Sequence, residues 1–394
     1  IKTGGECCRI EAEFFGIFNK RISRQCLLIY EELVVIGKVG LVVTQAQVVA
    51  RPVLLDQAVF QDQRLFFRVG DFYEMFQEDA VEASKLLSIA LTSRDKSSEA
   101  PIPLCGVPYH AATNYIAKLL RAGRTVALCE QVEDPKLAKG LVRREVVRLY
   151  TPGTLIDSEF LPSTESNVLA AVSVRLRSAG TGRKEPSYGL ATLEVSTGDY
   201  WLSEIHGIQA EASLRDELAR LEPKELLFPE DLSPDEQQWT ADLTGPRCCA
   251  QPATWFDLEQ GRMTLQEQFR VHSMEAFGCH RLTLGIQAGA AVLRYVRETQ
   301  PSAPLDHIRP PRVRQDHDAM HLDSVTIRNL ELVRPAGRAE DSSNQSTYTL
   351  LGVLDRTVTA MGSRLLREWL LRPLVNSAAI EARLTAVDEL KRQI

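Results

Sequence analysis

Apolar and polar positions follow two different periods between residues 60 and 152. Short apolar runs predict β-strands at 65–69, 125–129 and 142–149. Apolar positions three and four residues apart predict amphipathic helices at 79–87 and 109–120. The polar, proline-bounded stretch 92–103 predicts a loop. This alternation indicates a small mixed α/β domain.

Three strand patterns in succession are the next clear feature of the chain. They predict strands at 167–174, 188–196 and 199–205, with a hairpin loop at 178–187. A helix pattern at 209–221 and an apolar run at 225–228 complete a β-β-β-α-β order, which suits an RNase-H-like sheet with helices packed on it. Farther along, the pattern predicts a long helix at 285–298, a proline-rich boundary at 301–311 and, after residue 322, helices interrupted by a polar loop at 338–346.

These elements predict a multi-domain α/β chain. The expected order is a mixed α/β domain at 61–152, an RNase-H-like α/β domain at 165–300 and the start of an all-α domain at 305–394. Residues 1–60 mix aromatic, apolar and charged positions without a clean period, so we leave them unassigned.

Composition and charge narrow the classes of protein. The 394 residues are 44% hydrophobic and 25% charged, as in soluble globular proteins. A net charge of -6 argues against a chain that coats nucleic acid indiscriminately. Residues 64–152 nevertheless contain 13 basic and 11 acidic residues, a local charge of +2. Phosphate contacts are therefore expected first in that segment.

Cysteine use and hydropathy indicate the compartment. The 8 cysteines include no C-x-x-C pair, which favours a reduced, cytosolic chain. The apolar stretch 33–43 contains a lysine and is far shorter than the roughly 20 residues that a membrane span needs. We find neither a signal peptide nor a membrane span in the sequence.

The most informative stretch is GDFYEMF at residues 70–76. It follows a predicted strand, so we expect it to be extended, with Phe72 and Glu74 on one face and Tyr73 on the other. A Phe ring can wedge between base steps of DNA, and the cost of unstacking is lower where pairing is already defective. A neighbouring carboxylate offers a hydrogen bond to an exposed base edge.

By residue type alone a second interpretation of this stretch stays open. Phe72 would join the nearby phenylalanines 66, 67 and 76 in a hydrophobic core, and Glu74 would be solvated. The surrounding sequence has to decide between a base-reading element and a core strand.

Several motifs around this stretch occur in the order found in a known family. They are LFFRVGDFYEMF at 65–76, PIPLCGVPYH at 101–110, CEQV at 129–132, RREVVR at 143–148 and TPGT at 151–154. These motifs resemble the mismatch-recognition domain of the bacterial MutS mismatch-repair proteins. LDRTVTAMGSRLL at 354–366 and WLLRPL at 369–374 resemble the start of that family's lever domain. The resemblance covers residues 64–394.

The resemblance implies recognition of mispaired or unpaired bases in duplex DNA, at the start of mismatch repair. Phe72 would stack on the mispaired base, and Glu74 would hydrogen-bond to it. Leu104 falls near a position that lines the widened minor groove. Arg94 and Arg144 match basic positions that meet the DNA backbone, where they position rather than specify. A solvated surface arginine stays the alternative for each of these two.

The same resemblance implies domain names, partners and a location. Residues 61–152 would be the mismatch-recognition domain, 165–300 the connector domain and 305–394 part of the helical core or lever domain. The implied partners are mismatched or looped double-stranded DNA, a second copy in a full-length homodimer and, through the connector, a MutL-like repair protein. The implied location is the bacterial cytoplasm, in association with the nucleoid and with no membrane.

Two features depart from the family pattern. Residues 1–60 do not resemble the family's N-terminal segment, and the sequence contains no phosphate-binding G-x-x-x-x-G-K-[ST] loop. We therefore expect this chain not to be an enzyme and not to hold a cofactor. ATP and magnesium are expected only in the family's ATPase domain, which we place beyond residue 394 together with the clamp domain.

Two other functions remain as alternatives at this point. One is a metal-dependent nuclease that uses the RNase-H-like domain, with Glu194 and Asp199 as candidate carboxylates. The other is a protein-docking module of a repair complex whose DNA-binding domain is vestigial. DNA binding that depends on Phe72 would separate the mismatch sensor from both.

Overall fold

A computed structural model describes most of the chain after residue 62. The described residues are 63–93, 101–132, 144–155, 166–178, 184–240, 243, 245–300, 305–314, 319–335 and 348–393. The chain divides into two compact units, Ile1–Val147 and Arg148–Ile394. Residues 1–60, the loop expected at 338–346 and Arg94 lie outside the described residues.

The first unit is built on a mixed six-stranded sheet in the order β3-β4-β2-β1-β5-β6. Its strands are β1 Gln63–Val69, β2 Phe72–Phe76, β3 Thr92–Ser93, β4 Pro103–Pro108, β5 Thr125–Gln131 and β6 Arg144–Tyr150, of which β6 runs past the boundary between the units. β1 pairs antiparallel with β2 and parallel with β5. Its helices are α1 Gln77–Leu87 and α2 Ala112–Arg121.

Helical spacing explains which faces of these helices are buried. Helix α1 buries Ala80, Ala83 and Leu87, and α2 buries Ile116, Ala117, Leu119 and Leu120. After α2, Gly123 adopts a positive φ of 73°, which glycine reaches without the steric strain of a Cβ atom. The two predicted helices are therefore confirmed. Helix α2 is preceded by a 3-10 turn at Tyr109–Ala111.

One expectation for the first unit was partly wrong. Residues 92–103 were predicted to be a loop, but both ends of this stretch belong to the sheet: Thr92 pairs with Leu104, and Ser93 pairs with Pro103. A two-residue strand carries no period of its own. Its extended form comes from the neighbouring strand β4, which a local pattern cannot show.

The second unit contains another six-stranded sheet, in the order β11-β10-β7-β8-β9-β12. Its strands are β7 Val168–Ser178, β8 Lys184–Glu194, β9 Asp199–Ile205, β10 Glu225–Pro229, β11 Arg247–Gln251 and β12 Arg312–Val313. Helices of this sheet domain are α3 Ala210–Leu221, the short α4 Pro234–Gln237, α5 Leu258–Phe269 and α6 Thr283–Thr299. Strands β7, β8 and β9 are antiparallel, whereas β10 and β11 are parallel to β7. This arrangement confirms the predicted RNase-H-like α/β fold.

The second sheet is buried on both faces at strand β7. Successive residues of β7 face opposite sides of the sheet, and they belong to two different core clusters. Leu169 and Ala171 belong to a core cluster that includes residues of α5 and α6. Ala170 and Val172 belong to a second cluster, which includes residues of α3 and Trp239. A strand with two buried faces has apolar residues at nearly every position, as in the sequence VLAAV at 168–172.

The predicted elements and boundaries in this region need three corrections. The predicted hairpin loop at 178–187 is shorter, since β7 extends to Ser178 and β8 begins at Lys184. Strand β11 and helix α5 were not predicted, because Arg247–Gln251 is no apolar run and the apolar period of α5 is weak. Beyond the proline-rich stretch 301–311, β12 still pairs with β9, so the sheet extends past that expected boundary.

After the second sheet the described chain is mainly helical, as predicted. The helices are α7 Ser324–Asn329, α8 Leu350–Leu354, α9 Ala360–Leu371 and α10 Ser377–Gln393. Thr349 caps α8 and Thr359 caps α9. Their hydroxyl oxygens accept hydrogen bonds from the backbone N–H groups of Gly352 and Gly362, respectively. No described helix is both long enough and apolar enough to cross a membrane.

Arginine–glutamate pairs join this helical segment to the sheet domain. The largest group, which we call the Glu217 cluster, consists of Glu217 with Arg220, Arg314 and Arg372. Arg220 and Arg314 contact the Glu217 carboxylate at 2.7 and 3.3 Å. The contact with Arg372, the residue that follows α9, joins the end of that helix to α3. Ionic pairs therefore hold much of this junction.

Tyr200 has a hydroxyl group that is buried without a hydrogen-bond partner among the described residues. Burial raises its pKa well above the usual value. An unsatisfied buried polar group costs about 1–3 kcal/mol, so Tyr200→Phe is expected to stabilise the second unit by about 1 kcal/mol in urea unfolding. Tyr295→Phe is the matched control, because the Tyr295 hydroxyl donates to Glu225 at 2.9 Å. Equal destabilisation by both substitutions would contradict this prediction.

Candidate nucleic-acid interface

A tight hairpin places Phe72 at the end of the first sheet. Val69 of β1 pairs with Phe72 of β2, so only Gly70 and Asp71 form the turn. Gly70 is the first of these two residues and has a φ of 59°. Glycine is favoured at this position of a type II′ turn, whose twist matches that of the flanking strands. The turn therefore fixes which residue begins β2.

Alternation along β2 separates Phe72 from the core. Phe72 is 48% exposed, whereas its neighbour Tyr73 is only 6% exposed. Glu74 is half-buried and follows on the same side of the strand as Phe72. The expectation that Phe72 and Glu74 share a face is therefore confirmed.

The core interpretation of Phe72 does not fit the structure. The ring of Phe66 packs against Tyr73 at a centroid distance of 6.1 Å, and Phe67 packs edge-on against Phe76 at 6.5 Å. The three other phenylalanines of this hairpin are buried, whereas Phe72 stays exposed. A large exposed ring at the end of a hairpin is available for a ligand.

Strand β4 completes the surface around these two side chains. Pro108 is the register partner of Phe72, and Gly106 is the partner of Glu74. A Cβ atom on Gly106 would lie 3.3 Å from the Tyr73 carbonyl oxygen and 3.5 Å from Cγ of Glu74. Glycine therefore keeps space open beside the Glu74 side chain. We call the surface of Phe72, Glu74, Gly106 and Pro108 the reading face.

Sequence reasoning did not find Gly106. The available signal was a glycine inside the run LCGVP, since a glycine within a strand often marks a place where another group approaches closely. That signal becomes specific only with the register, which places Gly106 opposite Glu74.

The other predicted DNA-contacting residues are placed less completely. Leu104 is half-buried and pairs with Phe76, so it lies on the same side of the sheet as Gly106, two residues away along β4. Arg144 is the first residue of β6, but its side chain lies outside the described residues, as does the whole of Arg94. The structure thus places Leu104 near the reading face and leaves both arginines as predictions.

The two carboxylates of the nuclease alternative are engaged in ion pairs. Glu194 contacts Arg364 at 2.7 Å, and Asp199 contacts Arg309 at the same distance. Although Glu194 and Asp199 are register partners, each already has a guanidinium group beside it. Within the described parts of the chain, no group of three or more His, Cys, Asp or Glu residues could hold a metal ion. The geometry does not favour metal-dependent chemistry at this pair.

Comparison with family models matches three consecutive stretches of the chain. Residues 57–159 match MutS domain I, residues 167–309 match MutS domain II, and residues 325–394 match MutS domain III. The chain belongs to the MutS family. The order of the three models agrees with the order of the motifs that suggested the resemblance.

Bacterial relatives show the extent of this similarity. The DNA mismatch repair protein MutS of Solibacter usitatus (strain Ellin6076) is 44% identical over 330 residues, which cover 84% of this chain and 36% of the relative. The protein of the same name from Syntrophobacter fumaroxidans is 44% identical over 334 residues, covering 84% and 35%. That of Syntrophomonas wolfei subsp. wolfei is 41% identical over 344 residues, covering 85% and 37%. The chain thus spans little more than a third of the length of these relatives.

Proposed function

We propose that the chain recognises mispaired or unpaired bases in duplex DNA, as the first step of mismatch repair. Phe72 is the wedge that enters the base stack at a kinked site, and Glu74 hydrogen-bonds to the displaced base. The exposed ring of Phe72 at the hairpin end carries this proposal. The family and the printed name of the relatives, DNA mismatch repair protein MutS, support it.

Selectivity for a mispair follows from the different deformability of paired and mispaired DNA. A ring that enters the stack must unstack a base step and bend the duplex, and this cost depends on the sequence being deformed. A defective pair has already lost part of its pairing energy, so the same wedge binds there with less penalty. Phe72 can therefore discriminate without reading one fixed sequence.

Glu74 adds a hydrogen-bond acceptor to this apolar wedge. Its position on the face of Phe72 allows one displaced base to meet both side chains, and Gly106 leaves the adjoining surface open. A carboxylate accepts from the amino and imino groups of bases, which the kink exposes. We propose that Leu104 lines the groove beyond the reading face and that Arg94 and Arg144 contact the DNA backbone.

Binding of the 394-residue chain to DNA tests the proposal. Fluorescence anisotropy at low ionic strength compares a G·T heteroduplex with the matched homoduplex, since phosphate contacts weaken with salt. Phe72→Ala is expected to reduce the preference for the heteroduplex about tenfold, because stacking of a base on an aromatic ring is worth about 1–3 kcal/mol. Glu74→Ala is expected to act in the same direction.

Leu86→Ala is the matched control for the wedge substitution. Leu86 is a large apolar residue of the same unit with a similar exposure of 41%, but it lies on α1. This variant should keep the preference of the unsubstituted chain. Equal preference for the heteroduplex in the Phe72→Ala variant and the unsubstituted chain would refute the wedge and favour the protein-docking alternative.

The remaining functional expectations are part of the same proposal. Because the sequence has no G-x-x-x-x-G-K-[ST] loop, we propose that these residues act as a sensor and that ATP and magnesium bind elsewhere in the family's proteins. We further propose a homodimer in the full-length protein and contact with a MutL-like repair protein through residues 165–300. The proposed site of action is the bacterial cytoplasm, at the nucleoid.

A further inference from the structure

Arg68 belongs to β1 of the hairpin that carries Phe72, and its side chain lies on the reverse face. Its partner in the β1–β2 register is Tyr73, so its side chain lies on the face of the sheet opposite to Phe72. Its Nε–H donates to the carbonyl oxygen of Gly70 at 2.6 Å. The Arg68 side chain is thus hydrogen-bonded to the first residue of the turn.

Tyr109 holds the second residue of the same turn. Its backbone N–H donates to the carbonyl oxygen of Asp71 at 2.9 Å. The Tyr109 ring lies under the guanidinium group of Arg68, 4.0 Å from Cζ to the ring centroid. Both carbonyl groups of the Gly70–Asp71 turn are therefore bonded to a connected pair of residues.

The guanidinium group of Arg68 is itself held from a second side. It lies 5.4 Å from the centroid of the Tyr73 ring and 4.0 Å from the Glu130 carboxylate. The Tyr73 hydroxyl is hydrogen-bonded to the same carboxylate. Two rings and one carboxylate therefore restrict the orientation of Arg68. A planar guanidinium group stacks flat on a ring while its N–H groups donate in fixed directions, whereas a lysine ammonium group has neither the plane nor the fixed donor geometry.

We infer that Arg68 is a positioning residue for Phe72: by holding the Gly70–Asp71 turn from the reverse face, it keeps the ring in the orientation that enters DNA. The inference rests on the proposed function. Gly70 gives the turn conformational freedom, and a ring pressed into a base stack transmits force to that turn. Restraint of the turn raises the fraction of molecules that present the ring correctly. Apparent affinity is proportional to that fraction, so it falls when the restraint is lost.

Arg68→Lys tests this role, because it keeps the positive charge and removes the Nε donor and the planar group. The variant is expected to lower the preference for a G·T heteroduplex about fivefold, as if about one molecule in five held the ring correctly. Affinity for the homoduplex should not change. With 2-aminopurine beside the mispair, fluorescence at saturating protein should also be lower than with the unsubstituted chain, because the base is less unstacked.

Two further variants keep the test decisive. Tyr109→Phe keeps the ring and the backbone N–H, so it should behave as the unsubstituted chain does. Tyr109→Leu removes the ring under the guanidinium group and should lower the 2-aminopurine fluorescence. This variant replaces Arg68→Lys as the test if circular dichroism shows that Arg68→Lys is unfolded. Unchanged preference and fluorescence in folded Arg68→Lys, or in Tyr109→Leu if that variant is needed, would overturn the inference.

Three outcomes separate this inference from related ones. If Arg68→Lys is normal but Arg68→Gln weakens heteroduplex and homoduplex equally, Arg68 contacts phosphate and the positioning role is wrong. If Phe72→Ala keeps its preference in the same assay, the proposed function fails first. If Phe72→Ala loses the preference while Arg68→Lys keeps it, only the positioning role of Arg68 is refuted.

Discussion

Glu217→Ala is expected to destabilise the second unit by about 3 kcal/mol, the lower end of the roughly 3–5 kcal/mol lost when one partner of a buried ion pair is removed, because the Glu217 pairs are only partly buried. The Glu217 side chain is only 12% exposed, and Arg314 and Arg372 beside it are each 14% exposed. Burial lowers the pKa of Arg372 to about 10. Without the carboxylate, three guanidinium groups would share this poorly solvated region, although Arg314 would keep the carboxylate of Glu368 at 3.6 Å.

Urea unfolding followed by tryptophan fluorescence measures this effect. All 4 tryptophans of the sequence lie after residue 148, so their emission reports on the second unit. Glu211→Ala is the matched control on the same helix, since the more exposed pair of Glu211 and Arg215 has i,i+4 spacing. Such a pair is worth about 0.2–0.5 kcal/mol. The structural account of the Glu217 cluster is wrong if both variants unfold at the same urea concentration.

Gly189→Ala is the second substitution with a large expected effect. A Cβ atom on Gly189 would lie 2.1 Å from the carbonyl carbon of Leu284, 2.3 Å from its oxygen and 2.6 Å from the nitrogen of Gly285. All three contacts are with the backbone at the start of α6, so no side chain can turn aside. That backbone is also held by Ser173, whose hydroxyl donates to the Leu284 carbonyl at 2.7 Å, and by Glu204, which accepts from the Gly285 N–H at 3.0 Å.

The helix would therefore have to move away from β8 and lose contacts with the core. Overpacking usually costs about 1–3 kcal/mol, and we expect about 3 kcal/mol or more here because the clash is with fixed backbone. Gly278→Ala is the control, because Gly278 has a positive φ of 68° but nothing within 4 Å of its Cβ position. That variant should lose only the roughly 1–2 kcal/mol of left-handed strain. A smaller loss for Gly189→Ala than for Gly278→Ala would contradict the close approach of α6.

Hydrophobic periodicity identified the long elements of this fold for a physical reason. Strand β9 was predicted at 199–205 and is Asp199–Ile205, because alternating burial along one strand is visible in its own sequence. Strands β3 and β12 have two residues each and are extended only because β4 and β9 lie beside them. Such elements depend on pairing between distant parts of the chain, which no local period records.

The candidate site shows the same division. The shared face of Phe72 and Glu74 follows from strand alternation alone and could be predicted. The place of Gly106 depends on a register between residues 32 positions apart, and that of Arg68 on a ring 41 positions away. The sequence therefore indicated the residues that we propose to contact DNA, whereas Gly106, which leaves space beside Glu74, and Arg68, which bonds to the turn, could be found only in the folded chain.

Whether Phe72 and Glu74 form the reading face depends on the number of residues in the turn at Gly70 and Asp71. Val69 and Phe72 are paired, so one additional residue in this turn forces either a bulge or a shift of β2 by one position against its neighbours. A shift of one position would turn the phenol of Tyr73 and the thioether of Met75 outward and bury Phe72 and Glu74 instead. Evolution can therefore exchange the residues of this turn within the limits of its backbone angles, but it can lengthen the turn by one residue only if a bulge absorbs that residue or the two faces of β2 are exchanged.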